Sequence, residues 1–282
     1  MTEESGRDLP LITDTHAHFT DERFSEYPGG TDALLDEIFA NGVGRILNVS
    51  VSTANSADVY AQSLGRSGLY AAVGVHPTET AGEVSPDHAA GILSAMIDAD
   101  RASGRNLIVA IGETGLDYHY EDTDREAQHS FFEMQLRLSE TVGLPVIVHD
   151  RDAHGDCFEA VLRHPGVKGV FHSYSGSAEM AAELVRRGWY ISFSGVITFK
   201  NAPRVRAVAA SVPADRLLLE TDAPYLAPEP FRGRMNRSDY IRYTAGVLAS
   251  LHGMSAAEMI ATAGSNAERL FGFPGFQSFS ST

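Results

Sequence analysis

Asp14-Thr15-His16-Ala17-His18 is the stretch from which the fold and chemistry of this chain are best predicted. It follows the apolar pair Leu11-Ile12, which indicates the carboxyl end of a buried strand. Side chains along a strand alternate between its two faces, so His16 and His18 share one face. Two imidazoles this close together form half of a site for a divalent metal ion.

Short apolar runs recur along the chain, and each is followed by a segment with helical periodicity. The runs are apolar almost throughout, as parallel strands covered on both faces are. Eight such rounds predict an α/β fold, a (β/α)8 TIM barrel, as one domain over residues 1–282 with a frayed tail at 276–282. A doubly wound open sheet is the alternative, and the lack of G-x-G-x-x-G after the first strand disfavours it. The predicted strands are 11–18, 45–51, 69–76, 107–114, 145–149, 169–172, 190–194 and 217–222, and the predicted helices are 31–40, 54–64, 86–102, 124–142, 153–163, 178–187, 202–210, 238–251 and 255–270. The last two helices each open on a serine suited to N-capping.

Composition and charge narrow the classes of function. The polar, acidic residues 1–10 do not resemble a signal peptide, no apolar run is long enough to span a bilayer, and Cys157 is the only cysteine, so we expect a cytoplasmic protein. The net charge of -15 argues against a broad basic surface for long nucleic acid. It does not exclude a phosphate-bearing substrate, because bound cations and a few arginines can reverse the potential inside one cleft.

The carboxyl ends of the predicted strands carry residues that ligate metals. In a barrel these ends all lie at one mouth, where the loops after the strands build the active site. A lone histidine or carboxylate there is usually a hydrogen-bonded structural residue, but so many on separate strands indicate a shared site. The residues are His16 and His18 on strand one, His76 on strand three, Glu113 on strand four, His149 on strand five, His172 on strand six and Asp222 on strand eight.

These residues predict a site for two divalent ions. Two cations roughly 3.5–4 Å apart need a shared anionic ligand to offset their repulsion. Glu113 lies between the two ligand sets in strand order, and no lysine ends a strand in this cluster, so the bridge is a glutamate rather than a carbamylated lysine. The first ion is assigned to His16, His18 and Asp222, and the second to His149 and His172.

Two carboxylates and the identity of the metal are left open by the sequence. Asp222 is either a ligand alone or also the group that orients the attacking water and takes its proton. Asp14 either hydrogen-bonds a ligand imidazole or caps a buried strand. An imidazole-rich site favours Zn, Mn, Ni or Fe, whereas a carboxylate-rich site favours Mg.

Longer sequence blocks surround these residues and cover essentially the whole chain. They are residues 14–18, 74–77, 112–117, 145–151, 171–176, 191–195, 220–226, 232–236 and 266–271. Together they closely resemble the TatD-type family of metal-dependent deoxyribonucleases, within the amidohydrolase superfamily. The resemblance implies a TIM barrel that binds two or more divalent ions and hydrolyses phosphodiester bonds in DNA, often from the 3′ end. The family's ligands fall on the six residues assigned above: His16, His18, Glu113, His149, His172 and Asp222.

Substrate contacts are predicted for residues near the same mouth. Arg151 shares strand parity with His149, and Arg232 and Arg234 follow strand eight in a loop with Asn236 that can present donors to phosphate oxygens. The alternative for that loop is a solvated surface turn. His76 is also assigned to the substrate. Tyrosines just past the strand ends are left open between stacking on a base and packing at the rim, and they are Tyr118, Tyr174 and Tyr225.

The leading hypothesis is therefore a metal-dependent nuclease acting on DNA, single-stranded or at 3′ ends, with no membrane association and no prediction of oligomeric state. The alternative is a hydrolase with the same metal site that cleaves a different bond, such as that of a lactone or of a D-aminoacyl ester on tRNA. A non-catalytic scaffold is disfavoured, because the ligand set is intact. Cys157 is expected to be buried, and Trp189, Phe193 and Phe199 are expected in the core or in barrel-helix packing. Five histidines outside the cluster are expected on the surface: His119, His129, His154, His164 and His252.

Overall fold

Eight parallel strands, hydrogen-bonded in chain order, form a nearly closed barrel in the computed structural model, which describes residues 10–120 and 122–273. The TIM-barrel prediction is confirmed, while the predicted fraying of residues 276–282 lies outside the described residues. The ring is completed by a bridge between Ala17 and Ala223 and by the Thr15 hydroxyl, which donates to the Leu219 carbonyl at 3.0 Å. The strands are β1 (Ile12–Ala17), β2 (Val43–Val49), β3 (Leu69–Val73), β4 (Ile108–Asp117), β5 (Val146–Arg151), β6 (Gly169–Phe171), β7 (Tyr190–Phe193) and β8 (Leu217–Leu219).

Nine α-helices lie among the described residues, and eight of them begin and end within one residue of the sequence prediction. None of the described helices is both long and apolar enough to cross a membrane. Short 3-10 helices that the sequence did not predict follow several strands. The α-helices are α1 (Gly30–Ala40), α2 (Thr53–Leu64), α3 (Pro86–Ala102), α4 (Arg125–Val142), α5 (His154–Arg163), α6 (Ala178–Arg186), α7 (Pro203–Ser211), α8 (Ile241–His252) and α9 (Ala256–Phe271).

The start of α8 differs from the prediction. Ser238 was expected to cap this helix, but it begins a 3-10 helix over Ser238–Tyr240, and α8 itself starts three residues later without a side-chain cap. Ser255 does cap α9, in a reciprocal pair of hydrogen bonds with Glu258. The inserted turn of 3-10 helix carries no hydrophobic periodicity, so the helical pattern alone could not reveal it.

The barrel wall separates two apolar layers, and alternating strand residues contribute to each. On β3, Leu69, Ala71 and Val73 pack with the surrounding helices, whereas Tyr70 and Ala72 join the inner cluster. Phe273, just past α9, packs on Tyr70 with ring centroids 4.7 Å apart. The amino-terminal end of the barrel is therefore filled by side chains, and the polar side chains of the mouth lie at the opposite end.

The predicted exposure of residues outside the cluster is partly wrong. Cys157, Trp189 and Phe193 are buried as expected, and Phe199 is half-buried. His164 is buried rather than on the surface, because it follows the end of α5 and turns back onto α4, with its ring nitrogens 3.1 Å from Glu133 and 3.1 Å from Glu140. The other four histidines of that set remain partly exposed.

Candidate metal centre

Glu113 lies at the centre of the site, on a part of β4 where the strand is irregular. The pairing of β4 with β5 shifts register between Ile111 and Thr114, and the Gly112–Glu113 peptide bond is cis. Gly115, at a φ of 136°, brings β4 against β5 so closely that a Cβ there would lie 2.0 Å from the His149 carbonyl oxygen. The Glu113 carboxylate is thereby buried among the histidines of the neighbouring strands.

The Oε2 oxygen of Glu113 faces the histidines at the end of β1 and the turn after β8. Glu113 Oε2 lies 3.2 Å from His16 Nε2 and 3.4 Å from His18 Nε2. Asp222 Oδ1 lies 3.6 Å and 3.4 Å from the same two nitrogens. The structure therefore brings together the side chains that the sequence assigns to the first ion, and we call His16, His18, Glu113 and Asp222 the first ligand group.

The Oε1 oxygen of Glu113 faces His149 on β5 and His172, which follows β6. Glu113 Oε1 lies 2.8 Å from His149 Nδ1 and 2.7 Å from His172 Nε2. His76 Nε2 lies 3.6 Å from the same oxygen, so the structure adds to the second ligand group a residue that the sequence assigned to the substrate. Glu113, His149, His172 and His76 form this second ligand group.

Acceptors behind the imidazoles fix which nitrogen points at the centre. His18 Nδ1 lies 2.9 Å from the Val49 carbonyl oxygen, and His149 Nε2 lies 3.1 Å from Asp117 Oδ2. The Glu220 carboxylate lies 3.5 Å from His172 Nδ1, at ion-pair distance and without a hydrogen bond. Such partners on the far nitrogen are typical of metal-binding histidines.

Asp117 and Glu220 are the residues of this site that sequence reasoning missed. Asp117 lies four residues after Glu113 and Glu220 two residues before Asp222. An even spacing in an extended segment places side chains on one face, so parity with a predicted ligand was the available signal. The irregular backbone at both places made that signal weak, because β8 ends at Leu219.

Of the two roles that the sequence left open for Asp14, the structure shows the buried cap. Its carboxylate accepts hydrogen bonds from the backbone N–H of His16 at 3.2 Å, and from the backbone N–H and hydroxyl of Thr221 at 3.1 Å and 2.6 Å. Burial raises the pKa of Asp14 to about 7. These bonds tie β1 to the turn carrying Asp222, which has a left-handed φ of 61°. Asp222 is thus held at the mouth by β1 as well as by its own turn.

The electrostatics of the cluster favour positive charge at its centre. Burial acts to raise the pKa of Glu113, but His172, His16 and His76 outweigh it and hold that pKa well below its ordinary value. Burial acts to lower the pKa of His172, yet Glu113 and Glu220 raise it well above the ordinary value. Burial lowers the pKa of His76 to about 3, which keeps this imidazole neutral and able to ligate.

The mouth above the ligand groups is a cavity of about 880 Å³. Arg151 lines it, as predicted from its parity with His149, and its guanidinium lies 5.5 Å from the centre of the Tyr120 ring. Tyr225 stands at the rim, with the Arg23 guanidinium 3.9 Å from its ring centre and its hydroxyl donating to Asp21 at 2.9 Å. Arg151 and the rim tyrosines can therefore meet a substrate.

The loop after β8 does not place the other predicted substrate residues in the cavity. Asn236 is fully buried and its amide donates to the carbonyls of Thr221 at 2.9 Å and Tyr225 at 2.7 Å, so its assignment to the substrate is wrong. Its amide is committed to holding the turn that carries Asp222. Arg232 and Arg234 are exposed but do not line the cavity, and Arg232 lies over the Phe199 ring at 4.3 Å.

A family model described as TatD related DNase matches residues 13–272. The chain belongs to the TatD family. An uncharacterized metal-dependent hydrolase of Bacillus subtilis, YabD, is 36% identical over 93% of this chain and 99% of its own length. YcfH of Escherichia coli, of the same description, is 34% identical over 93% of this chain and 96% of its own length. The crystal structure of YjjV, a TatD homologue from Escherichia coli K12, matches with a TM-score of 0.85 and 33% identity, over 93% of this chain and 98% of that one.

The donor set of this TatD-family chain fits divalent metal ions. Three groups of three side chains could each hold an ion, because the ligand atoms within each group all lie within 4.8 Å of one another. Glu113 belongs to two of these groups. Imidazole nitrogens and carboxylate oxygens in this mixture suit Zn, Mn, Fe or Ni. The groups are His16 with His18 and Glu113, His16 with His172 and Asp222, and His76 with Glu113 and His149.

Proposed function

We propose that this chain is a hydrolase that depends on two divalent metal ions and cleaves phosphodiester bonds of DNA from single-stranded 3′ ends. One observation carries the proposal: the two oxygens of Glu113 face two adjoining histidine groups, Oε2 toward His16 and Oε1 toward His149. A carboxylate shared in this way is what a pair of neighbouring cations requires. The family match to TatD related DNases supports DNA as the substrate.

The chain's own residues divide the remaining work. When bound, divalent cations polarise the phosphoryl group and lower the pKa of water. Burial acts to raise the pKa of Asp222, but His18 and His16 lower it, so its carboxylate stays ionised and serves as the proton acceptor for the attacking water. Arg151 contacts phosphate oxygens at the entrance of the cavity.

The shape and charge of the cavity favour a chain end over a long duplex. Its volume of about 880 Å³ is in the range of pockets that enclose small molecules. Arg151 is the one lysine or arginine among the described residues that line it, and the whole chain carries a net charge of -15. Few nucleotides beyond the cleaved bond would therefore gain from contact with the protein.

Replacing Glu113 tests the proposal directly. Glu113→Gln keeps the shape of the side chain and removes its charge, so we expect bound metal, measured by elemental analysis, to fall from about two equivalents to one or fewer. Hydrolysis of a 3′-labelled single-stranded oligonucleotide should fall about 100-fold or more, because both ligand groups lose their shared anion. Glu159→Gln, on an exposed face of α5, is the matched control and should leave both measurements unchanged.

Two outcomes would contradict this function. A metal-loaded wild-type protein that leaves the oligonucleotide intact would exclude the nuclease. A folded Glu113→Gln variant that keeps two equivalents of metal would exclude the bridging role.

A second candidate function is hydrolysis of another ester, such as a lactone or a D-aminoacyl ester on tRNA. The side of the cavity formed after β1 and β3 carries two carboxylates, Glu79 and Asp21, the second of which is paired with Arg23 at 2.8 Å. These carboxylates suit a substrate with an ammonium group better than one with several phosphates. Parallel assays on single-stranded DNA, a lactone and a D-aminoacyl-tRNA discriminate between the two functions.

A further inference from the structure

One side of the cavity is apolar. It is formed by the end of β7, the 3-10 helix Gly195–Thr198, α7 and the loop after β8. Among the described lining residues from β7 to α7, none carries an ionisable side chain. We call this surface the apolar wall. Its partly exposed side chains are those of Val196, Val205 and Leu226, and it also includes Phe193 and Ile197, which are almost fully buried.

The backbone behind the apolar wall is fixed by contacts between two loops. Gly195 packs so tightly on the loop after β8 that a Cβ would lie 2.1 Å from the Leu226 carbonyl oxygen. The Thr198 hydroxyl donates to the Gly195 carbonyl at 2.7 Å and accepts from the Glu229 N–H at 2.8 Å. The wall is therefore preformed rather than assembled around a ligand.

Leu226 adds an independent indication that the wall serves a ligand. Its φ of 53° lies in the left-handed region, which costs energy for a leucine. Residues held in such conformations cluster at binding and catalytic sites, where the surroundings impose them. Here the strained backbone places Leu226 among the residues that line the cavity.

The apolar wall adjoins the metal centre on one side, and the charged residues lie on the other. Ser194, next to Phe193, has its hydroxyl 2.9 Å from that of Ser173, which follows His172 of the second ligand group. Farther round the ring from β7, Glu79 after β3 and Arg151 at the end of β5 line the cavity. A substrate centred on the ligand groups thus meets apolar surface in one direction and charge in the other.

We propose that the apolar wall is the subsite for the base of the nucleotide released by cleavage, a proposal that rests on the function proposed above. Burying a phosphate or sugar hydroxyl on this wall would cost free energy without compensating hydrogen bonds, whereas a base presents a large planar face with little polarity. With the base on the wall, the phosphate farther along the strand lies on the side of Arg151. The side chains of the wall carry no hydrogen-bond donor or acceptor that could read a base edge, so the wall itself does not discriminate between bases.

Binding measurements test the subsite without requiring turnover. We expect Mn²⁺-loaded wild-type protein to bind thymidine 5′-monophosphate about ten-fold or more tightly than methyl phosphate in titration calorimetry, because only the nucleotide reaches the wall. In Val205→Ser the ratio of the two affinities, thymidine 5′-monophosphate over methyl phosphate, should fall about five-fold. Val208→Ser is the matched control, since Val208 is also half-buried on α7 but does not line the cavity. Its ratio should equal that of the wild type.

Hydrolysis of two esters separates failure of the subsite from failure of the function. Thymidine 5′-(4-nitrophenyl phosphate) and methyl 4-nitrophenyl phosphate share a leaving group and differ only in the group that would lie on the wall. Equal affinities for thymidine 5′-monophosphate and methyl phosphate, or equal effects of Val205→Ser and Val208→Ser, would overturn the subsite. Tight thymidylate binding that Val205→Ser weakens, without cleavage of either ester, would support the subsite and overturn the phosphodiesterase.

Discussion

His149 is held between two carboxylates, with Glu113 2.8 Å from Nδ1 and Asp117 3.1 Å from Nε2. The bond to Asp117 places the proton on Nε2 and leaves the Nδ1 lone pair facing the centre of the second ligand group. Burial acts to lower the pKa of His149, but Asp117 and Glu113 together raise it above the ordinary value. Asp117 is therefore a positioning residue for this imidazole.

Removing Asp117 should weaken metal binding without unfolding the protein. In Asp117→Ala we expect the Mn²⁺ affinity of the weaker-binding step, measured by calorimetry, to fall about 10–100-fold. Asp117→Asn keeps an oxygen that accepts the hydrogen bond from Nε2, so it should recover part of the loss. Identical affinities in Asp117→Ala and the wild type, at equal thermal stability, would show that His149 needs no such partner.

The residues of the site could be predicted from the sequence only where they lay at the end of a recognisable strand, because the strand then indicates which way the side chain points. His16, His18 and Glu113 were predicted correctly as neighbours because the apolar runs that mark β1 and β4 could be recognised, although the pairing of both strands is irregular near the mouth. Asn236 was misplaced because its loop has no period, and only the structure shows its amide bound to the Thr221 carbonyl. The left-handed backbone of Leu226 has no sequence signature either, since leucine is not a residue that favours it.

At the scale of elements, the approach of β4 to β5 determines where Glu113 and His149 meet. Gly115 pairs with His149 in the register of these strands, and no side chain fits between them. The glycine therefore sets the spacing between the two strands that carry the second ligand group.

Gly115→Ala should strongly destabilise the fold, whereas Gly91→Ala should stabilise it. The new methyl group at 115 would meet the His149 carbonyl at a positive φ, and we expect a loss of about 2–3 kcal/mol, seen as a Tm lower by roughly 5–10 °C. Gly91 lies within α3 with open space around its Cβ position, so alanine there should stabilise by about 0.5–1 kcal/mol. Thermal denaturation that lowers both midpoints equally would refute the steric argument.

The elements themselves were largely predictable because βα units combine two strong signals. Continuous apolar runs marked the buried strands, and an amphipathic stripe marked each helix, as in α6 with Ala181 and Leu184 facing the core. Strand ends were less certain: β6 stops at Phe171 and β8 at Leu219, so His172 and Asp222 lie in loops rather than on strands. Their positions follow from hydrogen bonds across the mouth, such as the Asp222 N–H donating to the His16 carbonyl at 2.9 Å.

At the scale of the whole molecule, the ligand groups join distant parts of the ring. The first group links β1 to the turn after β8, where the barrel is closed by a single bridge, and the second extends from His76, after β3, to His172, after β6. A ligand bound at both groups would therefore hold the barrel together across its least hydrogen-bonded boundary.

Metal should stabilise the whole fold. Because cations bind the folded chain and find no assembled site in the unfolded one, Mn²⁺ at about 100 times its Kd should add about 2.7 kcal/mol, which corresponds to a Tm higher by roughly 5–10 °C. EDTA should reverse the shift, and Glu113→Gln should reduce it. A midpoint that does not depend on Mn²⁺ concentration would be incompatible with either ligand group holding an ion.

Cys157 gives the molecule a practical property. It is the one cysteine in the sequence, it is fully buried, and burial raises the pKa of its thiol well above the ordinary value. Thiol reagents attack the thiolate, which this residue neither forms nor exposes in the folded protein. In Tyr120→Cys, at an exposed rim position, the new cysteine would then be the sole reactive thiol, so a fluorophore or spin label could report on the mouth without the native cysteine being replaced.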